Sequence, residues 1–190
     1  GLRGRQGGVR CVALAAERGL ALTVTGSDAV VVWDLNAGVA KRTLQMHSGF
    51  LNALIASADG RRAVAVGSTG TLFTWDVDSG RRQLAAKVLD GYASALAVTP
   101  DGGIAVIGGG DGTVRAVELP SGRVLARVEA HDGEVTALAV AADGFRALSG
   151  GADGLVGVHD LQRGHTLERL GGHEGPIRFV ALSRDGRHAL

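Results

Sequence analysis

Turn residues return every 42 positions along this chain of 190 residues. Asp-Gly pairs stand at 59–60, 101–102, 143–144 and 185–186. Ala37-Gly38, Ser79-Gly80, Ser121-Gly122 and Arg163-Gly164 keep the same step, although Arg163 breaks the small-residue rule. So do Gly49, Gly91, Gly133 and Gly175, and the series Trp33, Trp75, Val117 and His159. A period of this length marks an array of one supersecondary unit, each burying its apolar face against its neighbours. The first unit pairs Arg18 with Gly19, one residue off the Asp-Gly series, which reads as a one-residue deletion. The period divides the chain into units at about 5–45, 46–87, 88–129 and 130–171, with an incomplete unit over 172–190, in one domain.

Each unit holds four short apolar runs between turn residues. In the fourth unit they fall at 135–140, 146–150, 155–159 and 165–170. Runs of five or six residues bounded by glycine predict strands rather than helices. Segments 141–144 and 151–154 then close hairpins, with glycine supplying the positive φ. The runs are apolar without clean alternation, the pattern of strands covered on both faces. Glycine, at 31 residues, suits many tight turns, while only 3 prolines and no Gly-X-Y repeat exclude collagen. Four-stranded sheets repeated at about 40–45 residues are the blades of a β-propeller. The expected fold is all-β, with blades and almost no helix.

Formal net charge is +1, from 20 basic and 19 acidic residues, which removes the electrostatic footprint of a nucleic-acid binder. Only Lys41 and Lys87 are lysines, and a basic set otherwise made of arginine reads as bacterial. Cys11, the single cysteine, can form neither an internal disulfide nor a zinc site alone, which suits a cytoplasmic protein. No apolar run approaches the length of a membrane span.

With the period in place, the chain resembles the WD-repeat family over about residues 7–190. Met46-His47, Ala130-His131 and Gly172-His173 occupy the place of that family's Gly-His pair. Trp33-Asp34 and Trp75-Asp76 occupy its Trp-Asp place, with Val117-Glu118 and His159-Asp160 as degenerate versions. The resemblance implies a structural tetrad of His, Ser or Thr, Asp and Trp in each blade, and here each is incomplete. The fourth unit carries His131, Ser149 and Asp153, with His159 in the Trp place. The second has His47 and Trp75, but Ala65 and Thr69 elsewhere. The third keeps Asp111 alone, beside Leu89, Ile107 and Val117. The first has Asp28 and Trp33, Gln6 in the His place, and either Val24 or Thr25 in the Ser/Thr place.

Other chemistry reads as structure. His47, His131 and His173 recur once per unit, so they fit buried tetrad members better than ligands of one metal. His159 reads as a packing substitute for Trp, and His165 and His188 as exposed. The segment 108–112 lacks the Lys-Ser/Thr and helix that a phosphate loop requires. Recurring Asp-Gly aspartates serve hairpins rather than catalysis. Cys11 aligns with Ala53, Ala95, Ala137 and Phe179 as a small buried filler. No metal, cofactor or catalytic residue is expected.

Phe50, Tyr92, Glu134 and Pro176 vary where their neighbours repeat, and the resemblance sets them near one rim, beside Ser68, Gly110 and Ala152. Two aromatics there suit a protein-binding hot spot. The preferred function is a non-catalytic protein-interaction scaffold or sensor, joined in a longer parent to an NTPase or kinase domain. The alternatives are a structural fragment without its own function and a propeller enzyme of hydrolase or quinoprotein type. About 4.5 units fall short of a seven-bladed ring, so a truncated propeller that associates through uncovered blade faces is expected.

Overall fold

The computed structural model describes residues 8–26, 29–45, 49–183 and 188–190. Four antiparallel sheets of four strands follow one another along the chain, each a simple meander. The first holds β1 (Val9–Ala15), β2 (Leu20–Thr25), β3 (Ala29–Asp34) and β4 (Val39–Gln45). The second holds β5 (Leu51–Ala56), β6 (Arg62–Gly67), β7 (Thr71–Asp76) and β8 (Arg82–Lys87). The third holds β9 (Ala93–Val98), β10 (Ile104–Gly109), β11 (Thr113–Glu118) and β12 (Val124–Glu129). The fourth holds β13 (Val135–Val140), β14 (Arg146–Gly151), β15 (Val156–Asp160) and β16 (His165–Leu170). The helical element among the described residues is a 3-10 turn at Ala16–Arg18.

Apolar side chains on both faces of the middle strands join these sheets. On β6, Ala63 and Ala65 pack toward the first sheet with Leu22, Val32, Leu54 and Trp75. Val64 and Val66 alternate with them and pack the other way, with Leu96 and Ile107 of the third sheet. The third and fourth sheets meet through Ala95, Val106, Val135 and Ala147. Strands sandwiched in this way lose the polar alternate position, which is why the runs read as continuously apolar.

The turns explain the glycines. Gly60, Gly102 and Gly144 adopt positive φ of 65–72° and close the first hairpin of sheets two to four. Gly38, Gly80, Gly122 and Gly164 do the same at the last hairpin, each donating its N–H to the carbonyl of Asp34, Asp76, Glu118 or Asp160. The Asp34, Asp76 and Asp160 carboxylates accept further backbone N–H groups of these turns, so the Trp-Asp aspartates are turn caps.

The first unit has no deletion. Ala15 pairs with Leu20 as Ser57 pairs with Arg62, with four residues between in both turns. The first turn coils as a 3-10 element and uses its fourth residue, Gly19, in the left-handed conformation, where the second uses its third, Gly60. The glycine moved; the loop length did not change.

Beyond β16, Ile177 and Val180 pack on Ala137 and Leu148. Over Ile177–Leu182, within the incomplete unit, there is no regular strand. Residues 181–183 instead ladder with 188–190 through reciprocal Ala181–Leu190 bonds and an isolated Leu182–Ala189 bridge.

Candidate functional site

One internal slot recurs in every sheet, between a side chain on the second strand and one on the third. In the first sheet the Trp33 indole Nε1 donates to Thr23 Oγ1 at 2.8 Å. Thr23, rather than Val24 or Thr25, therefore fills the Ser/Thr place, because the register keeps its 42-residue step throughout. In the second sheet Ala65 stands where Thr23 would accept, and the buried Trp75 Nε1 has no partner among the described residues. Trp75 is held instead by stacking on Phe73, with centroids 5.6 Å apart. In the third sheet both positions are aliphatic, Ile107 and Val117, fully buried with no polar atom to satisfy. Removing both partners of a buried hydrogen bond is close to neutral, whereas removing one leaves a desolvated group. Ala65→Ser is accordingly expected to stabilise the protein by about 1 kcal/mol, measured by urea denaturation.

The fourth sheet extends the slot into a hydrogen-bonded chain. His131 Nδ1 lies 3.0 Å from Asp153 Oδ1, and its Nε2 lies 2.7 Å from Ser149 Oγ. Ser149 Oγ is 2.6 Å from His159 Nε2, and His159 Nδ1 is 3.1 Å from Thr166 Oγ1. The carboxylate accepts from His131 Nδ1–H, so in the neutral ring Nε2 accepts from Ser149. Ser149 accepts in turn from His159 Nε2–H, and His159 Nδ1 accepts from the Thr166 hydroxyl. Every polar atom in the chain is used. His159 thus does more than fill the Trp place, and burial, with His131 and Arg169 nearby, pushes its pKa down to about 4. Asp153, His131 and Ser149 stand in the order of an activated nucleophile, but the Ser149 hydroxyl is fully buried.

The remaining tetrad positions are handled differently. Asp111, with Leu89 in the His place, pairs with Arg115 at 3.1 Å and takes bonds from Thr113. Burial works against its carboxylate, but the Thr113 bonds and the Arg115 charge hold its pKa below the ordinary value. Arg115 also donates to the Val88 carbonyl. His173 is exposed, contrary to the buried role expected of it. His47 and Asp28 lie outside the described residues, and three repeats before Asp153 the sequence has Ser27 rather than Asp28. Among the described residues no three His, Cys, Asp or Glu side chains converge as metal ligands.

A second series went unread in the sequence. Each inner strand carries a β-bulge at its second residue, at Arg10, Asn52, Ser94 and Thr136. A bulge turns a side chain out of the ladder, and here it aims that side chain at the next sheet. Asn52 Nδ2 donates to the Ala93 carbonyl at 2.8 Å, and Ser94 Oγ to that of Val135 at 2.7 Å. Thr136 Oγ1 donates to the Ile177 carbonyl. Arg10 places its guanidinium over the Phe50 ring, 5.3 Å from the centroid. Three polar residues 42 apart within apolar runs were the available signal. Cys11 follows the first bulge, half-buried, its Sγ 3.2 Å from the Asn52 carbonyl and its thiol pKa raised by burial.

The rim residues stand at the same ends of these strands. Phe50 is 55% exposed and Tyr92 42%. Phe50 exchanges hydrogen bonds with Ser68, its N–H going to Ser68 Oγ and its carbonyl receiving the Ser68 N–H. The Tyr92 and Glu134 carbonyls receive the N–H groups of Gly110 and Ala152. The Tyr92 ring lies over Gly110, where any Cβ would run into it. Partial burial and the nearby Glu134 carboxylate raise its phenol pKa. Glu134 is half-buried and Pro176 is exposed.

Residues 122–160 match the family model described as WD40: WD domain, G-beta repeat. That span runs from the turn before β12 to the end of β15, and so carries the Ser149–Asp153–His159 region. The match supports a WD-repeat family for the chain, and the four meander sheets are blades of the β-propeller type. No curated protein matches the chain. Repeats of this family generally act as protein-interaction scaffolds.

Proposed function

We propose that the chain is a non-catalytic protein-interaction module of scaffold or sensor type, with its partner surface on the rim formed by Phe50, Tyr92, Glu134 and Pro176. The observation that carries this reading is the pair of exposed aromatic rings held on rigid backbone. Arg10 stacks on Phe50, and Tyr92 is seated on Gly110. Rings ordered before binding lose little side-chain entropy on contact, the property of interface anchors. The buried network at His131, Ser149 and His159 serves to hold the fourth blade under this rim. A linked NTPase or kinase domain and a cytoplasmic setting belong to the same reading. A photo-crosslinking residue placed at 50 or 92 is expected to trap one discrete partner protein, while the same residue at the outer position Lys41 traps none. Tyr92→Ala is expected to weaken binding of that partner at least about tenfold while changing stability by less than about 0.5 kcal/mol. Unchanged binding by the Tyr92→Ala protein would refute this use of the rim.

A further inference from the structure

The opposite ends of the inner strands carry two equivalent clefts one repeat apart. The first, of about 410 Å³, lies between the second and third sheets and is lined by Asp59, Arg61, Arg62, Gln83 and Asp101. The second, of about 500 Å³, lies between the third and fourth sheets and is lined by Ile104, Leu125, Phe145 and Leu161, with Asp101 and Asp143 at its edge. The repeat makes the first cleft an internal control for the second. Forty-two residues on, Arg62 becomes Ile104, Gln83 becomes Leu125 and Gly103 becomes Phe145.

These changes are not demanded by the fold, because the first cleft carries polar or absent side chains at the same places. Arg62 spans the first cleft and donates to the Gly102 carbonyl at 2.9 Å, a strap that Ile104 cannot make. Leu125 is the bulged residue of β12, turned out of the ladder as Gln83 is in β8. Leu125 remains 43% exposed and Phe145 52% exposed. Single exposed apolar residues are ordinary, but three substitutions that converge on one cleft make a patch.

Two carboxylates, Asp101 and Asp143, edge the patch. Asp143 is paired with Arg146 at 2.9 Å. Asp101 accepts from the Thr99 hydroxyl and the Gly103 N–H, both at Oδ1, and meets no cation among the described residues. An apolar cleft edged by an unpaired carboxylate complements an apolar side chain next to a cation. We propose that this cleft binds a peptide segment in which a large apolar side chain stands beside Lys or Arg, the apolar group entering between Ile104, Leu125 and Phe145 and the cation pairing with Asp101. Its volume lies within the range of ligand clefts and suits two side chains rather than a folded surface.

The test is a titration of the isotope-labelled full chain, followed by NMR, with the peptide acetyl-Ala-Leu-Arg-Ala-amide. Saturable shifts are expected at 99–104, 125 and 142–145. Replacing Arg by Glu in the peptide, or Leu by Ala, is expected to weaken binding at least about fivefold. Leu125→Gln, which installs the first cleft's residue at an exposed site, should weaken it equally, and Asp101→Asn should abolish the preference for Arg over Glu. The proposal is overturned by no saturable shift up to about 5 mM peptide, by shifts centred on Phe50 and Tyr92, by equal binding of the Glu peptide, or by undiminished binding to the Leu125→Gln protein.

Discussion

Ser149→Ala is expected to destabilise the protein by about 3 kcal/mol, far more than the loss of one ordinary hydrogen bond. The hydroxyl stands between two buried imidazoles, 2.7 Å from His131 Nε2 and 2.6 Å from His159 Nε2. Alanine leaves both nitrogens without this partner, and each buried unpaired group costs about 1–3 kcal/mol. The third sheet shows that the fold does not need the hydroxyl as such, since Ile107 occupies the same register in a wholly apolar slot. The cost therefore comes from the imidazoles left behind. Urea denaturation of the Ser149→Ala protein measures it, and a loss below about 1 kcal/mol would show that the network is not cooperative. Ser149→Thr keeps the hydroxyl and is expected to lose much less, which separates hydrogen bonding from packing.

The contrast between these two slots shows which parts of the molecule were legible in the sequence. Strands and hairpins were, because glycine at a 42-residue step and apolar runs of five or six residues leave few other readings. Double-sided burial was legible too, from the missing alternation in runs such as that of β6. Exact register in the first sheet was not. A left-handed glycine can shift by one residue inside a turn of constant length, so Gly19 mimicked a deletion and displaced the Ser/Thr place from Thr23. His173 followed its motif but stands exposed, so the motif alone did not report burial. The bulged residues Asn52, Ser94 and Thr136 were hidden for another reason. A bulge leaves no mark in apolar periodicity, and their targets are backbone carbonyls, which no side-chain pattern reports. The cleft at Leu125 was legible only by comparing repeats with each other, a comparison that gains meaning once the structure shows Ile104, Leu125 and Phe145 facing one space.

Stability is expected to fall as pH drops from about 6.5 to 4, by about 3 kcal/mol in total. His159 is fully buried, and burial, reinforced by His131 and Arg169, lowers its pKa from 6.5 to about 4. The unfolded chain therefore takes up this proton at a higher pH than the folded chain. Above pH 6.5 neither state carries it, and the stability is complete. Between 6.5 and 4 the unfolded state binds the proton and gains on the folded one; below 4 both bind it, and the loss from this group is finished. Asp153, held below its ordinary 3.8 by Leu155, Asp132 and His131 against the effect of burial, adds its own loss only beneath that value. The two contributions thus occupy separate pH ranges. Urea denaturation at pH 7.5, 6.5, 5.5 and 4.5 should show a declining midpoint in wild type. In His159→Gln, whose amide can still bond Ser149 but does not titrate, the decline over this range should largely vanish, while His165→Gln, altered at an exposed ring, should keep it. A decline that persists in His159→Gln would assign the acid sensitivity to another group.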